Sequence, residues 1–432
     1  MPTSFTPAMP RATRSDYQTF DALFALSSRT GATAAGGLHR LTASAEDKQI
    51  RDAFSRWLDE HGFTVQVDGI GNLFGLLTLR PGAPWLLCGS HLDSQPAGGR
   101  FDGAYGVTAG AVAILSLARQ LREQGDEAPF NLAVVSWTNE EGARFQPSLT
   151  GSAVFTHALT LEQGLACRDA QGVTLGEALD AIGYRGDAAF SLPLAGYVEL
   201  HVEQGPHLEQ QRTAIGVVQE TWAALKWQVT FSGEQNHTGP SLMAGRRDAL
   251  LAAAKTIVAV REEADRYGLA MHSSVGRLET APNSPNVVTR EATLFIEFRS
   301  ADESLLKSTG ERFTHTLHAI AHQTATDVRL VKSQLRPRQQ LHRGLAQQAL
   351  ACAESIGLTA VPMRSVAGHD AISLSYRCPS CLLFVPSHNG LSHNEVEFTK
   401  QADLHAGLDM LIALLGQLSL QHASVLTQED AS

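Results

Sequence analysis

Long apolar runs are absent from this 432-residue chain. Segments such as Met410 to Leu415 are far too short to cross a bilayer, which takes about 20 apolar residues in a helix. Residues 1 to 15 hold Pro, Ser, Thr and two Arg but no apolar core segment, so they read as a loose terminus rather than a signal peptide. An excess of basic charge is missing too: the formal net charge is -10. That argues against a broad surface for phosphate backbones, so nucleic acid and membrane are not expected partners and the cytoplasm is the expected compartment. Cysteine is sparse. Five are scattered through the chain, an odd number that forms no disulfide framework. Cys378 and Cys381 make a lone C-x-x-C without the second pair that a structural zinc site needs, and read as two thiols flanking a buried strand.

What remains is the composition of a globular protein too long for one ordinary core, with 43% hydrophobic and 18% charged residues. Ile50, Phe54, Trp57 and Leu58 recur at helical spacing, Gly62 supplies a stop, and Phe63 to Val67 alternates like a strand. Trp85 to Gly89 and Leu132 to Trp137 are short apolar runs separated by an apolar helix, Val107 to Leu121. Strands alternating with helices predict an α/β fold, its sheet flanked by helices.

From about Thr213 the texture changes. Strand-like Ile215 to Val218 and Trp227 to Phe231, a helix over Arg246 to Tyr267, strands near Ser274 to Leu278 and Ala292 to Phe298, a helix over Ser304 to His322 and the strand Val328 to Val331 form one block. The pattern predicts a smaller α+β insert with a ferredoxin-like order. The expected division is a catalytic domain over 1–213 and 333–432, interrupted by an inserted domain over 214–332.

The candidate chemistry gathers where strands end. Gly89-Ser90-His91-Leu92-Asp93 closes a predicted buried strand, and Asp102 follows in the glycine-rich Gly98-Gly99-Arg100-Phe101-Asp102-Gly103. Ligands of α/β folds collect at the carboxyl ends of strands, and a carboxylate has two oxygens with which to bridge two cations. Asn139-Glu140-Glu141-Gly142 follows the strand that ends at Trp137. Adjacent carboxylates at a buried strand end repel each other and call for a cation or a shared proton. One could bind metal while its neighbour takes a proton from an activated water. His201 and His393 occupy equivalent places after other strands. Two cations sharing Asp102 would leave room for water, and an N/O ligand set admits zinc, manganese, cobalt or nickel.

Together G-S-H-L-D-S, G-G-R-F-D-G, W-T-N-E-E-G-A-R-F, E-L-H-V-E-Q-G-P, N-H-T-G-P-S, G-H-D-A and G-L-S-H-N-E resemble the M20 metallopeptidase-like amidohydrolases, nearest their carbamoylase branch. That branch comprises N-carbamoyl-L-amino acid hydrolases, β-ureidopropionases and allantoate amidohydrolases. The resemblance spans about Leu41 to Leu418. It implies a di-metal catalytic domain with a mixed sheet, and an insert serving as lid and dimerisation domain of a homodimer. It implies one metal on His91, Asp102 and His201, a second on Asp102, Glu141 and His393, and Glu140 as general acid/base. Asp93 would orient His91. His237 would stabilise the transition-state oxyanion in the neighbouring chain's site. Asn286, Arg299, Gly368 and Gln204 would bind substrate. The implied reaction is metal-dependent cleavage of the carbamoyl group from an N-carbamoyl-L-amino acid or N-carbamoyl-β-alanine, with allantoate as the nearest rival and dipeptides or N-acyl amino acids beyond it. Three features depart from the pattern. Asn394-Glu395-Val396-Glu397 stands where the family often has a proline, His388 has no assignment, and the apolar Trp222 to Leu225 replaces a Gln typical of allantoate-cleaving members.

Overall fold

The computed structural model describes residues 9–125 and 128–420, and these form two compact units. The first comprises residues up to Gln219, Leu341–Met363 and Gly368 onward; the second comprises Glu220–Gln340 and Arg364–Ala367. The two segment ends of the insert therefore lie a few residues beyond those expected from the sequence. At the first end the reason is strand pairing: Val217 and Gly216 pair with Leu383 and Phe384, so the strand over Ile215–Thr221 starts within the larger sheet.

That sheet has eight strands in the order Thr64–Val67, Leu73–Leu77, Asn131–Trp137, Trp85–His91, Leu194–Val202, Ser380–Val385, Ile215–Thr221 and Ala360–Ser365. The four central strands run parallel. Side chains alternate between faces along a strand. Leu86, Cys88, Leu132, Val134, Val198 and Leu200 accordingly join one apolar cluster, and Leu87, Ala133, Val135 and Tyr197 another. The first cluster includes the buried helices Ala104–Gln124 and Gln401–Leu420. Ala104–Glu123 is the one described helix with the length and composition to cross a membrane, and 83% of its apolar window is buried inside the chain.

A helix over Arg14–Arg29 was not read from the sequence. Thr13 and Asp16 form a capping box at its start, so the loose terminus ends earlier than expected; residues 1–8 lie outside the described residues. Cys378 and Cys381 fall into opposite apolar clusters, and burial pushes both thiols up to about 12. They pack, as expected, rather than pair.

The second unit is a four-stranded antiparallel sheet in the order Asp327–Arg336, Ala223–Ser232, Glu291–Ser300, His272–Ala281. Helices Ala249–Asp265 and Glu303–Gln323 cover it, each started by an Asp side chain, Asp248 and Asp302. Read along the chain this is β-α-β-β-α-β, the ferredoxin-like order. Ala223, Ala224 and Leu225 are buried. Their apolarity answers to packing, so it no longer argues against allantoate.

Candidate metal centre

Four parallel strands deliver the site. His91 is the last residue of its strand, His201 the penultimate residue of Leu194–Val202, and Glu140 and Glu141 follow Asn131–Trp137 by three and four positions. His393 lies on the loop that follows Ser380–Val385. Gly103 permits the closest approach. Its φ is +65°, and a Cβ there would lie 2.4 Å from the His91 ring, so only glycine fits. Asn139 and His393 also hold positive φ, at 55° each, a conformation that costs non-glycine residues about 1–3 kcal/mol. Asn139 is held there by its side chain. Its Nδ2 donates to Phe145 O, Pro147 O and Thr150 Oγ1, and its Oδ1 lies 3.1 Å from Thr42 Oγ1.

Asp102 is the hub. Its Oδ1 lies 3.4 Å from His91 Nε2 and 3.0 Å from His201 Nε2. Its Oδ2 lies 3.4 Å from His393 Nε2, which is 3.3 Å from Glu141 Oε2. Two triads result, His91–Asp102–His201 and Asp102–Glu141–His393, each with its ligating atoms within 4.8 Å of one another. The other imidazole nitrogens are engaged: His91 Nδ1 lies 2.9 Å from Asp93 O and His201 Nδ1 2.9 Å from Val202 O. With Nδ1 donating to a carbonyl, the neutral ring carries its lone pair on Nε2, where that of His201 accepts from Gly103 N at 3.1 Å and a cation would take its place.

The triads fit divalent ions on geometry and on charge. Ligands about 2.0–2.1 Å from a tetrahedral ion stand roughly 3.3 Å apart, close to the separations found. Burial and then Asp102 push Glu141 up to about 6. Burial, followed by repulsion from Asp370, Glu141 and Asp93, holds Glu140 well above the usual carboxylate range. Burial opposes the His393 imidazolium, yet Asp102 and then Glu141 hold it up at about 9. Carboxyls pushed up and an imidazolium held up mark concentrated negative charge. A divalent ion reverses both.

Glu140 belongs to neither triad. Its carboxylate is almost buried, with Oε2 3.5 Å from His91 Nε2. Asp93 lies beside His91, its Oδ1 3.7 Å from Nδ1, and its side chain has further partners. Its carboxylate accepts from Thr42 Oγ1 at 2.8 Å and from the Glu140 and Glu141 N–H groups at 3.4 and 3.3 Å, while its carbonyl, not its carboxylate, approaches His91 most closely. Gln204 Nε2 donates to Asp102 Oδ2 at 3.0 Å, which places it at the shared ligand. Gly368 opens a segment of the same unit. His388 stands apart from both triads, paired with Glu209 at 2.8 Å.

His237, Asn286 and Arg299 belong to the second unit. The ribbon pairing Val287 with His237 brings the first two together, and Thr238 N donates to Asn286 O. His237 and Asn286 are exposed. The Arg299 guanidinium is gripped by Glu297 at 3.0 and 3.1 Å and donates to Val366 O.

Sequence reasoning missed three contributors. Gln95 donates to both Glu141 oxygens. Glu297 stands two residues before Arg299 on one strand, a spacing that puts both on one face and could have been read. Glu397 accepts the Phe101 and Asp102 N–H groups across a sequence separation of up to 296 residues, which leaves no local signal.

Relatives place this geometry. The profile of peptidase family M20/M25/M40 matches residues 87–417. A putative hydrolase of Mycolicibacterium smegmatis is 44% identical over 393 residues, covering 90% of each chain. An N-carbamoyl-L-amino-acid amidohydrolase of Rhizobium meliloti is 33% identical, covering 89% of this chain and 92% of its own. The crystal structure of a hydantoinase/carbamoylase family amidase from Burkholderia vietnamiensis superposes with a TM-score of 0.91 at 34% identity, over 96% of this chain and all of its own. With its motifs in order from His91 to His393, the chain belongs to peptidase family M20/M25/M40, in the carbamoylase branch, and is a hydrolase of C–N bonds.

Proposed function

We propose that the chain hydrolyses the carbamoyl C–N bond of an N-carbamoyl-L-amino acid or N-carbamoyl-β-alanine, giving the amino acid, carbon dioxide and ammonia. The observation that carries this reading is the division of labour at adjacent carboxylates: Glu141 lies in a triad and Glu140 lies outside both. A binding protein has no use for the second.

In this reading His91, Asp102 and His201 hold one divalent ion and Asp102, Glu141 and His393 a second, with zinc, manganese, cobalt or nickel suited to the N/O donors. Bound ions would supply Lewis acidity, activating water and polarising the carbonyl oxygen. Glu140 takes the proton from the attacking water and delivers it to the leaving nitrogen. The proton taken from water is the one returned, so the protonated carboxyl that delivers it is formed by the first transfer itself. Asp93 fixes the backbone on which both glutamates ride.

The second unit serves as lid and dimerisation domain of a homodimer. From it His237 donates to the developing oxyanion, Arg299 pairs with the substrate carboxylate, and Asn286 adds a hydrogen bond; Gly368 N–H and Gln204 contribute from the first unit. Because Glu297 already grips Arg299, carboxylate binding there exchanges one ion pair for another. The cytoplasm is the expected compartment.

The test is a panel of N-carbamoyl-α-amino acids, N-carbamoyl-β-alanine, allantoate, dipeptides and N-acetyl amino acids, assayed by amine and ammonia release with each metal added. Turnover should be highest with a carbamoyl amino acid. Preference for allantoate, or for a dipeptide, would replace the proposed substrate with that class.

A further inference from the structure

Glu397 is a buried carboxylate with no part in the chemistry just described. Only 4% of it is exposed, and it sits four residues after His393. Its Oε1 accepts from Phe101 N at 3.1 Å and Asp102 N at 3.0 Å, and its Oε2 lies 2.9 Å from Ser392 Oγ. Ser392 Oγ is in turn 3.0 Å from Asp102 Oδ2. The loop carrying the shared aspartate and the loop carrying His393 are thus joined by one side chain.

The fit is tight. A Cβ on Gly99 would lie 2.1 Å from Glu397 Oε1, so the glycine-rich turn packs its backbone against this carboxylate. The helix Ala104–Gln124 begins right after that turn with no side-chain cap of its own. Glu397 supplies an acceptor to the N–H groups just ahead of the helix.

Ser392 has one hydroxyl proton and two acceptors within reach, Asp102 Oδ2 and Glu397 Oε2. One proton serves one acceptor at a time. Whichever acceptor the hydroxyl takes, the loops stay tied, because Glu397 Oε1 holds the Phe101 and Asp102 N–H groups.

We propose that Glu397 is a positioning residue that sets the shared carboxylate of Asp102 between the two triads and fixes the His393 loop against it. The inference rests on the two-ion reading. Removing the carboxylate strands two peptide N–H groups and leaves the Ser392–Asp102 hydrogen bond to hold the loops together. Gln at this position preserves the connections: its carbonyl oxygen accepts the same two N–H groups, and its amide donates to Ser392, whose proton then serves Asp102.

The test is competition for Zn2+ between the metal-free protein and a chromophoric chelator, reading two successive affinities in the parent, Glu397→Ala, Glu397→Gln and His393→Ala. Loss of an interaction behind a metal ligand typically costs 10–100-fold in affinity. Glu397→Ala should lose about that factor for one of the two ions and Glu397→Gln should stay within roughly threefold of the parent; of the two metal-free variants, Glu397→Ala should melt lower, through its stranded N–H groups. Parental affinities in Glu397→Ala, or a Glu397→Gln protein as weak as the alanine variant, would overturn the proposal. If Glu397→Ala does not fold, Ser392→Ala decides: at least tenfold weaker binding of one ion supports the link, and parental binding refutes it. His393→Ala separates the two layers of the argument. If it loses an ion that Glu397→Ala retains, only the role of Glu397 fails; if the parent binds no zinc, the two-ion reading fails with it.

Discussion

Replacing Glu140 by Gln removes one ionisable oxygen at nearly constant volume, beside His91 and outside both triads. The expected loss follows from its task. Proton transfer by a positioned group contributes about 10²–10⁴-fold, equivalent to roughly 2.7–5.5 kcal/mol of barrier. The loss should fall on kcat, because the amide cannot take the proton at any substrate concentration. Metal content should be unchanged, since no triad loses a ligand. Stability gives an independent readout. In the metal-free protein Glu140 is buried and repelled by Asp370, Glu141 and Asp93, so a neutral amide should leave that protein as stable as the parent or more so. Glu141→Gln should do the opposite, weakening one ion. The assay is steady-state ammonia release paired with elemental analysis and thermal melts of both variants. Ordinary kcat in Glu140→Gln, or loss of an ion from it, would refute the division of labour between the two glutamates.

Arg299→Ala should raise KM sharply for N-carbamoyl amino acids but not for an amide analogue lacking the carboxylate; equal discrimination in variant and parent would remove Arg299 from the substrate site. Gly103→Ala places a Cβ 2.4 Å from the His91 ring at a φ of +65°, so His91 must move; activity and the affinity of one ion should fall together, and parental values for both would show that the ring is not held there. If His237 serves the partner's site in a two-fold dimer, Glu140→Gln and His237→Ala proteins refolded together in equal amounts should regain roughly a quarter of parental activity, since half the dimers are mixed and each has one intact site of two. No recovery in confirmed mixed dimers would return His237 to its own chain's site or to none.

The five triad residues were legible because each ends or follows a strand whose apolar run marks it as buried, and parallel strands bring their carboxyl ends to one edge. The ferredoxin-like order of the second unit was legible for the same reason: long helices and alternating strands carry their periods openly. The insert's first boundary was less so, since the strand Ile215–Thr221 belongs to the larger sheet through pairing with residues some 170 positions away, near Leu383. Leu73–Leu77 is short and contains Gly75, which weakens any strand signal. The supporting shell was the least visible. Glu397 and Gln95 act through partners brought near only by the fold, and the carboxylate of Asp93 reaches the backbone of Glu140 and Glu141 as well as lying 3.7 Å from the ring of His91.

The central claim is that Asp102 is shared by two cations in a site built for them. Elemental analysis of the purified protein, before and after dialysis against a chelator and again after metal is restored, tests it most directly, with turnover of an N-carbamoyl amino acid followed in each state. The account predicts close to two divalent ions per chain, loss of activity with the ions and recovery on their return, and at most one ion in Asp102→Ala. A fully active preparation free of metal would contradict it.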